Sequence, residues 1–243
     1  MTTRICSTAC LPPDFGEADR TNVCKALERL AGAAMGIEHS HAGLHLEGSQ
    51  GAGDLTWDFT VPDAAALEDL RRHLDERGWE GLFAAAEPTD RELLSTLSDV
   101  EAWVIEPLAW NVPRRDLVGI KRTNLVRVLD SASPEAVEHW SRDLVALALH
   151  VPAIRNWSLA RTRPLGPTAP RVRWTHAWEQ EFETLEGLVE DYMASPYHWG
   201  WLDGWYNPEV PFCIMDRDLA HLYCVASQNV LGWASRAREG QLR

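Results

Sequence analysis

Tyr192 and His198 lie six positions apart in the segment Tyr-Met-Ala-Ser-Pro-Tyr-His. A phenol and an imidazole can transfer protons together, because an imidazole with a pKa of about 6.5 accepts a proton at neutral pH and a phenol with a pKa of about 10 donates a hydrogen bond. Proline disfavours the helical conformation of the residue before it, so we expect Ser195 to end a helix with Tyr192 in its last turns. His198 would then lie on the loop that folds back past Tyr192. Simple packing of the two rings is the alternative.

Composition excludes several classes of partner and site. The 243-residue chain has a formal net charge of −13, and without a stripe of lysine and arginine this charge repels nucleic acid. Its apolar runs are shorter than the roughly 20 residues that span a bilayer, and its first residues lack the apolar segment of a signal peptide. The five cysteines are odd in number and lack metal-ligand spacing. We therefore expect a cytoplasmic protein with reduced thiols and no nucleic-acid or membrane partner.

The alternation of apolar and polar residues predicts the same order of elements twice. Strands have a side-chain period of two and helices one of 3.6, which distinguishes them in sequence. Each half is predicted to run strand, helix, strand, strand, helix, strand. The predicted strands are 4–8, 37–47, 55–61, 100–108, 120–129, 156–162, 172–182 and 219–226, and the predicted helices are 21–35, 64–77, 87–97, 134–147 and 186–192.

Two such units predict an α+β fold of two ferredoxin-like βαββαβ repeats. Each repeat would form a four-stranded antiparallel sheet with helices on one face. The two sheets can cover each other by closing into a dimeric-type α/β barrel within one chain. We place the repeats at 1–112 and 119–228, with a C-terminal tail at 229–243. Trp57 and Trp178 mark equivalent strands, since each precedes an acidic strand end and an apolar helix.

Three histidines, His39, His41 and His45, share one face of a predicted strand. Imidazoles on one face can bind a metal ion. The third is four residues from the second, however, which is about 13 Å along a strand that rises about 3.3 Å per residue. That distance is too long for one ion without other ligands, so we favour partly exposed strand histidines over a metal site.

The strand 172–182 carries a second candidate surface. Val172, Trp174, His176 and Trp178 would share one of its faces. The chain contains 12 tryptophans, and tryptophan is large enough to fill a core or to line a ligand cavity. Packing is expected to explain most of them.

Four motifs of the second half follow a known pattern. They are Ile120-Lys-Arg122, Val151-Pro-Ala-Ile154, Trp174-Thr-His176-Ala-Trp178-Glu and Asp191-Tyr192-Met-Ala-Ser-Pro-Tyr-His198. Through them, residues 119 to about 228 resemble the stress-responsive dimeric α/β-barrel (Dabb) family, and within it a plant polyketide cyclase. The resemblance covers nearly the whole second half, and the repeat pattern supports the same fold independently.

The resemblance implies that Tyr192 and His198 form the acid/base pair of an intramolecular aldol closure of a linear poly-keto chain. In such a reaction, the imidazole removes a proton from a carbon between two carbonyls, and the phenol donates a hydrogen bond to the developing enolate oxygen. His176 would line the same pocket. We expect neither a metal nor another cofactor, and we expect ligand contacts from His176, Arg122, Asn124, Trp178, Trp140, Leu144 and Trp199.

Four positions depart from the cyclase pattern. Arg122 and Ser195 replace histidines, and Asn124 and Leu144 replace apolar or aromatic pocket residues. If Arg122 points inward, it can hold a carboxylate or phenolate; otherwise it is a solvated strand end. The aromatic and glycine-rich run 199–206 can cover a ligand as a lid, or anchor a loop to the barrel.

The first half lacks a counterpart of the pair, because Leu55 lies where His176 would be and Arg71, with His73 nearby, lies where Tyr192 would be. We therefore expect one site per chain. The first hypothesis is a lyase, cyclase or isomerase that moves protons on a small aromatic or poly-keto compound. The alternatives are a non-catalytic ligand-binding or stress-associated barrel and, more distantly, an oxygenase that binds haem or needs no cofactor. A monomer suffices to close the barrel, and a homodimer is also compatible.

Overall fold

Eight strands form one antiparallel sheet in a computed structural model that describes residues 2–235. The strands are β1 (Thr3–Cys10), β2 (His39–Leu44), β3 (Leu55–Val61), β4 (Ser98–Asn111), β5 (Gly119–Val128), β6 (Asn156–Leu165), β7 (His176–Phe182) and β8 (Met215–Ala226). Their order in the sheet is β2-β3-β1-β4-β6-β7-β5-β8. The predicted mixed fold is confirmed.

Helices cover the outer face of the sheet. They are α1 (Glu17–Glu28), α2 (Ala64–Phe83), α3 (Pro88–Leu94), α4 (Pro134–His150) and α5 (Gly232–Ser235), with π-helical turns at Gly187–Tyr192 and His198–Leu202. α4 begins at its predicted N-cap, where the Ser133 hydroxyl accepts a hydrogen bond from the Ala136 amide at 3.2 Å. α1 ends earlier than predicted, because the Leu30 and Ala31 amides bond three residues back instead of four, and Gly32 then turns the backbone with a φ of 74° that glycine tolerates.

The two halves of the sheet have the same internal strand order. In each half, the strands lie in the order second, third, first, fourth. This is the predicted ferredoxin-like arrangement. A continuous antiparallel ladder between β4 and β6 joins the halves. At the other end, β8 meets the β2–β3 hairpin through two isolated bridges, His45 to Cys224 and Gln50 to His221. The sheet therefore curls into a barrel, while the limits 1–112 and 119–228 stay a prediction.

The register makes individual positions of the two repeats comparable. Trp57 pairs with Ser7 in the first repeat, and Trp178 pairs with Asn124 in the second. Aligning the two tryptophans gives these equivalent pairs: Arg4 and Lys121, Asp58 and Glu179, Ile5 and Arg122, Leu55 and His176, Phe59 and Gln180, Ala102 and His221. The first two pairs face the barrel interior, and the other four face the helices.

Four buried charges occupy the barrel interior. Arg4 Nη1 donates to Asp58 Oδ1 at 2.7 Å and to Glu179 Oε1 at 3.0 Å. Lys121 Nζ lies 2.9 Å from Asp58 Oδ2 and 3.1 Å from Glu179 Oε1. Burial alone would raise the pKa of Glu179, but the two cations lower it to about 2. The two cations and two carboxylates neutralise each other, and each repeat contributes one of each.

The third strand of the second repeat begins later than predicted, at His176. Val172 and Trp174 precede it, and the Trp174 amide donates to the Val172 carbonyl at 3.1 Å. Because this turn interrupts the alternation, both side chains pack with the barrel interior around Leu125. The prediction of one shared face holds for His176 and Trp178 and was wrong for Val172 and Trp174.

The three histidines of β2 and its extension have separate partners. His39 Nδ1 lies 3.0 Å from Thr60 Oγ1, His41 Nδ1 lies 3.1 Å from Glu28 Oε1, and His45 Nε2 lies 2.8 Å from Thr56 Oγ1. His41 is buried, so the prediction of partial exposure was wrong for that residue. Within the described part of the chain, the one group close enough to share a metal ion is Cys6, Asp58 and Glu179, whose carboxylates already bind Arg4 and Lys121.

The start of the predicted tail packs against the barrel. The Val230 and Leu231 amides donate to Glu181 Oε1 at 2.9 and 3.1 Å, and Asn229 Nδ2 donates to Glu181 Oε2 at 3.0 Å. Residues 236–243 of that predicted tail lie outside the described residues. Between residues 2 and 235, no helix has both the length and the apolar character needed to cross a membrane.

Candidate functional site

Tyr192 and His198 are neighbours between the sheet and the helical cover of the second repeat. Their ring centroids are 4.5 Å apart at an interplanar angle of 54°, and both side chains are buried. The first π-helical turn ends at Tyr192 and the second begins at His198, so the prediction that His198 lies on a loop was wrong. In the first turn, the Met193 amide donates to the Leu188 carbonyl five residues back. Such short π-helical segments occur frequently at functional sites.

Arg122 lies beside this pair. Its guanidinium carbon is 5.0 Å from the centroid of the Tyr192 ring, and its Nη1 donates to Gln180 Oε1 at 2.6 Å. Only 2% of Arg122 is exposed, so the interpretation as a solvated strand end was wrong. The guanidinium is held inside the second repeat.

The other predicted ligand residues divide into a buried group and an exposed one. His176 contacts Trp140 edge to face, with centroids 5.2 Å apart. Trp199 is 60% exposed and borders an outer cavity. The remaining predicted residues are buried in the same layer as His176, namely Asn124, Leu144 and Trp178.

Sequence reasoning missed two polar side chains of this layer, Gln180 and His221, and it named Tyr206 only as the end of the aromatic run 199–206. Gln180 follows Trp178 by two residues, so the strand period of two was sufficient to find it. His221 lies opposite Asn124 in the β5–β8 ladder. Tyr206 comes close enough to Asn124 to influence its own pKa. The position of His221 depends on strand pairing and that of Tyr206 on a loop contact, and both join segments that are distant in sequence.

Burial determines the protonation of the site. It lowers the pKa of His176 to about 4 and that of His221 to about 3. Burial also lowers the pKa of His198, and the Arg122 charge lowers it further. Burial raises the pKa of Tyr192, although Arg122 opposes that rise. At neutral pH, the imidazoles are therefore neutral and the phenol is protonated.

Several buried polar atoms of this layer have no hydrogen-bond partner among the described residues. They are Asn124 Oδ1, His176 Nε2, Trp178 Nε1 and His198 Nδ1. Trp140 Nε1 and Gln180 Nε2 also lack a well-aligned partner, although they lie beside the hydroxyls of Tyr206 and Tyr192. Trp57, the equivalent of Trp178, instead donates its indole N–H to Ser40 Oγ at 2.8 Å. Because buried polar groups are nearly always hydrogen-bonded, this concentration marks a place where a ligand or solvent can complete the missing bonds.

The aromatic run after His198 forms the wall of an outer cavity of about 660 Å³. Trp205 is buried and donates its indole N–H to Asp143 Oδ2 at 2.8 Å, whereas Trp201 is exposed. Asp203 lines this cavity, and its charge opposes the lowering of the His198 pKa. The run is therefore anchored at one end and open to solvent at the other. The cavity is lined by His139, Asp143, Trp199, Gly200, Trp201, Asp203, Gly204, Trp205, Asn207, Val210 and Phe212.

The second half of the chain matches a known family. Residues 120–210 match the Stress Responsive A/B Barrel Domain, Dabb. This Dabb match begins in β5 and includes both Tyr192 and His198, and it confirms the resemblance found in the sequence of the second half. No curated protein matched the chain.

Solved structures with the same architecture extend over nearly the whole chain. An anthrone oxidase-like protein has a TM-score of 0.58 at 12% identity and covers 94% of this chain and 92% of its own. A proposed monooxygenase from Lactobacillus acidophilus NCFM has a TM-score of 0.51 at 11% identity, covering 94% and 98%. The R173K mutant of chlorite dismutase from Candidatus Nitrospira defluvii has a TM-score of 0.50 at 11% identity, covering 95% and 94%. At these identities the likeness shows the fold alone.

Proposed function

We propose that the protein is an acid/base enzyme that acts on a small aromatic or poly-keto carbonyl compound, with side chains of the second repeat as its acid and base. The observation that carries the proposal is the 4.5 Å contact between the Tyr192 and His198 rings, beside a buried arginine and several buried polar atoms without partners. The reaction class is that of a lyase, cyclase or isomerase.

His198 is the proposed base. Its lowered pKa keeps the imidazole neutral at pH 7, and a neutral imidazole can accept a proton from a carbon between two carbonyls. Its Nδ1 atom is buried without a partner among the described residues. Activity is therefore expected to persist to a lower pH than for an ordinary histidine, and to fall only when His198 becomes protonated.

Tyr192 is the proposed acid. Burial raises the pKa of its phenol, so the phenol stays protonated and can donate a hydrogen bond to an enolate oxygen as negative charge develops there. The neighbouring Arg122 guanidinium favours the same negative charge. The pair thus removes a proton from carbon and stabilises the resulting enolate, a step that ring closure, bond cleavage and isomerisation share.

The experiment follows deuterium uptake by NMR at the acidic carbon of aryl and alkyl β-keto esters in D₂O. The expected result is exchange well above the buffer rate, with a loss of about 10²- to 10⁴-fold in Tyr192→Phe and His198→Ala. His73→Ala, a half-buried histidine of the first repeat, is the matched control and should leave the rate unchanged. A folded His198→Ala protein with the full wild-type rate would contradict the proposal.

The same assay separates the alternatives. A non-catalytic ligand-binding barrel binds these compounds without exchange above the buffer rate. Two structural neighbours are named as an anthrone oxidase-like protein and a monooxygenase, so oxygen uptake is recorded in parallel. Consumption of oxygen that depends on His198 would assign an oxygenase reaction instead of a lyase, cyclase or isomerase reaction.

A further inference from the structure

Arg122 is a buried cation whose described partners are all uncharged. Its Nη1 donates to the amide oxygen of Gln180 at 2.6 Å, and its guanidinium faces the Tyr192 ring. No carboxylate forms a salt bridge with it among residues 2–235. An amide and an aromatic ring stabilise a guanidinium only in part, since neither carries a formal negative charge.

The barrel interior shows how the same chain treats buried cations elsewhere. Arg4 and Lys121 are as deeply buried as Arg122, and each contacts both Asp58 and Glu179. Burying a charge without a counter-ion is costly. The contrast indicates that Arg122 has no counter-ion among residues 2–235 and can take one from a bound ligand.

The titratable groups around Arg122 do not supply this negative charge. Burial lowers the pKa values of His176, His198 and His221, which are therefore neutral at pH 7. Burial raises the pKa values of Tyr192 and Tyr206, which therefore stay protonated. The Asp203 carboxylate acts on Tyr192 and His198 through its charge, but it is exposed and lines the outer cavity.

The layer that holds Arg122 includes donors that suit an anionic ligand. The Trp178 indole N–H is buried and has no hydrogen-bond acceptor among the described residues. The Trp140 indole and the Gln180 amide lie beside the phenol oxygens of Tyr206 and Tyr192, and they make no well-aligned hydrogen bond there. A carboxylate presents two oxygens with about four lone-pair positions, and a guanidinium binds it with strong, charge-assisted hydrogen bonds. Aromatic side chains such as those of this layer are common in the lining of small-molecule sites.

We propose that the compound bound in the second repeat carries a carboxylate that pairs with Arg122, so that the substrate class is an aromatic or poly-keto acid. This inference rests on the proposed function only in taking the Tyr192–His198 layer as the ligand site. The carboxylate is a recognition group and takes no part in proton transfer. It fixes the distance between the reacting carbon and His198.

The test is isothermal titration calorimetry with 2,4-dihydroxybenzoate and its neutral counterpart, 2,4-dihydroxybenzamide. Wild-type protein should bind the acid about 10- to 100-fold more tightly than the amide, the range expected for a buried charge-assisted pair. Arg122→Gln should abolish this preference, and Arg122→Lys, which keeps the charge, should retain part of it. Thermal unfolding of each variant checks that it folds.

Arg127→Gln is the matched control. It makes the same substitution on the same strand, at a half-exposed arginine near Asp216, and should leave the preference for the acid unchanged. Equal affinity of wild-type protein for acid and amide would overturn the inference, as would a preference that survives in Arg122→Gln. Failure to bind either compound would also overturn it.

Binding and turnover separate this inference from the proposed function. Tyr192→Phe should retain the preference for the acid while losing proton exchange. If exchange is present but the preference is absent, the inference fails and the proposed function stands. If the preference depends on Arg122 but no β-keto ester or β-keto acid exchanges, the proposed function fails and a carboxylate-binding barrel remains.

Discussion

The two repeats share a backbone register but differ in the layer between sheet and helices. In the first repeat the positions facing the helices hold Ile5, Leu55, Phe59 and Ala102, which form part of a continuous apolar core. The equivalent positions of the second repeat hold Arg122, His176, Gln180 and His221. Apolar side chains fill one layer, and side chains that can bind and transfer protons occupy the other.

In the barrel interior, by contrast, the two repeats have similar residues at equivalent positions. There the equivalent positions match in charge, since Arg4 corresponds to Lys121 and Asp58 to Glu179. These four groups connect the two repeats through ion pairs. Closing the barrel constrains both repeats on the inner face, whereas each repeat covers its outer face independently. The outer face of one repeat can therefore become a site without loss of the barrel.

The largest expected change in the free energy of unfolding comes from the charged cluster of the barrel interior. Arg4→Met leaves Asp58 and Glu179 with one cation between them, and breaking such a buried network lowers the free energy of unfolding by about 3–5 kcal/mol. Urea denaturation measures the change. Arg163→Met removes a half-exposed pair with Glu106 and should lower it by less than about 1 kcal/mol. Equal effects of the two substitutions would show that the interior cluster does not hold the repeats together.

The next largest effect is on the helix-facing layer of the second repeat, whose stability should depend on pH. His221 has a folded-state pKa of about 3 against about 6.5 in an unfolded chain, so between these values the unfolded chain binds more protons. The stability that neutral His221 contributes is fully present above the unfolded-state pKa. It is lost as the pH falls toward the folded-state pKa, by up to about 1.4 kcal/mol per pH unit. His221→Ala, which introduces the residue that the first repeat has, should reduce this slope.

The slope is measured by urea unfolding at about pH 6 and about pH 4.5. The loss of stability from the cavity left by the alanine is the same at both pH values, so it cancels in the difference. The exposed His150→Ala is the control and should keep the wild-type slope. If His221→Ala also keeps that slope, burial does not lower the folded-state pKa of His221.

The smallest expected change is that of Arg122→Met, and its sign shows whether Arg122 has a counter-ion within the protein. Arg122→Met is the same substitution as Arg4→Met, but in the described chain it removes a cation without leaving a carboxylate unpaired. Replacing buried charged groups by apolar ones of similar volume is often neutral or stabilising. The free energy of unfolding should therefore stay unchanged or rise by about 1 kcal/mol. A loss comparable to that of Arg4→Met would place an internal counter-ion beside Arg122.

Local pattern was sufficient to predict much of this fold. The period of two and the N-cap at Ser133 predicted most strands and the start of α4. The duplicated element order predicted the strand order of the sheet. The predicted end of α1 and the predicted start of β7 were wrong, because turns after Glu28 and before His176 interrupt the periodic pattern.

The candidate site was predictable only where its residues lie in one motif or one strand. Tyr192 and His198 belong to a single segment, and His176 and Trp178 alternate on a single strand. His221 joins them through strand pairing, and the buried position of Arg122 on the helix-facing side depends on its contacts with Gln180 and Tyr192. Contacts of this kind are set by tertiary packing, which one sequence does not specify residue by residue.

The proposed ligand site lies in the second repeat and not in the first. NMR of the histidine ring signals during titration with 2,4-dihydroxybenzoate tests this location. Shifts are expected for His176, His198 and His221, with the signals of His39 and His45 unmoved. Shifts confined to the first-repeat histidines, or no shift in any second-repeat histidine at saturation, would contradict it.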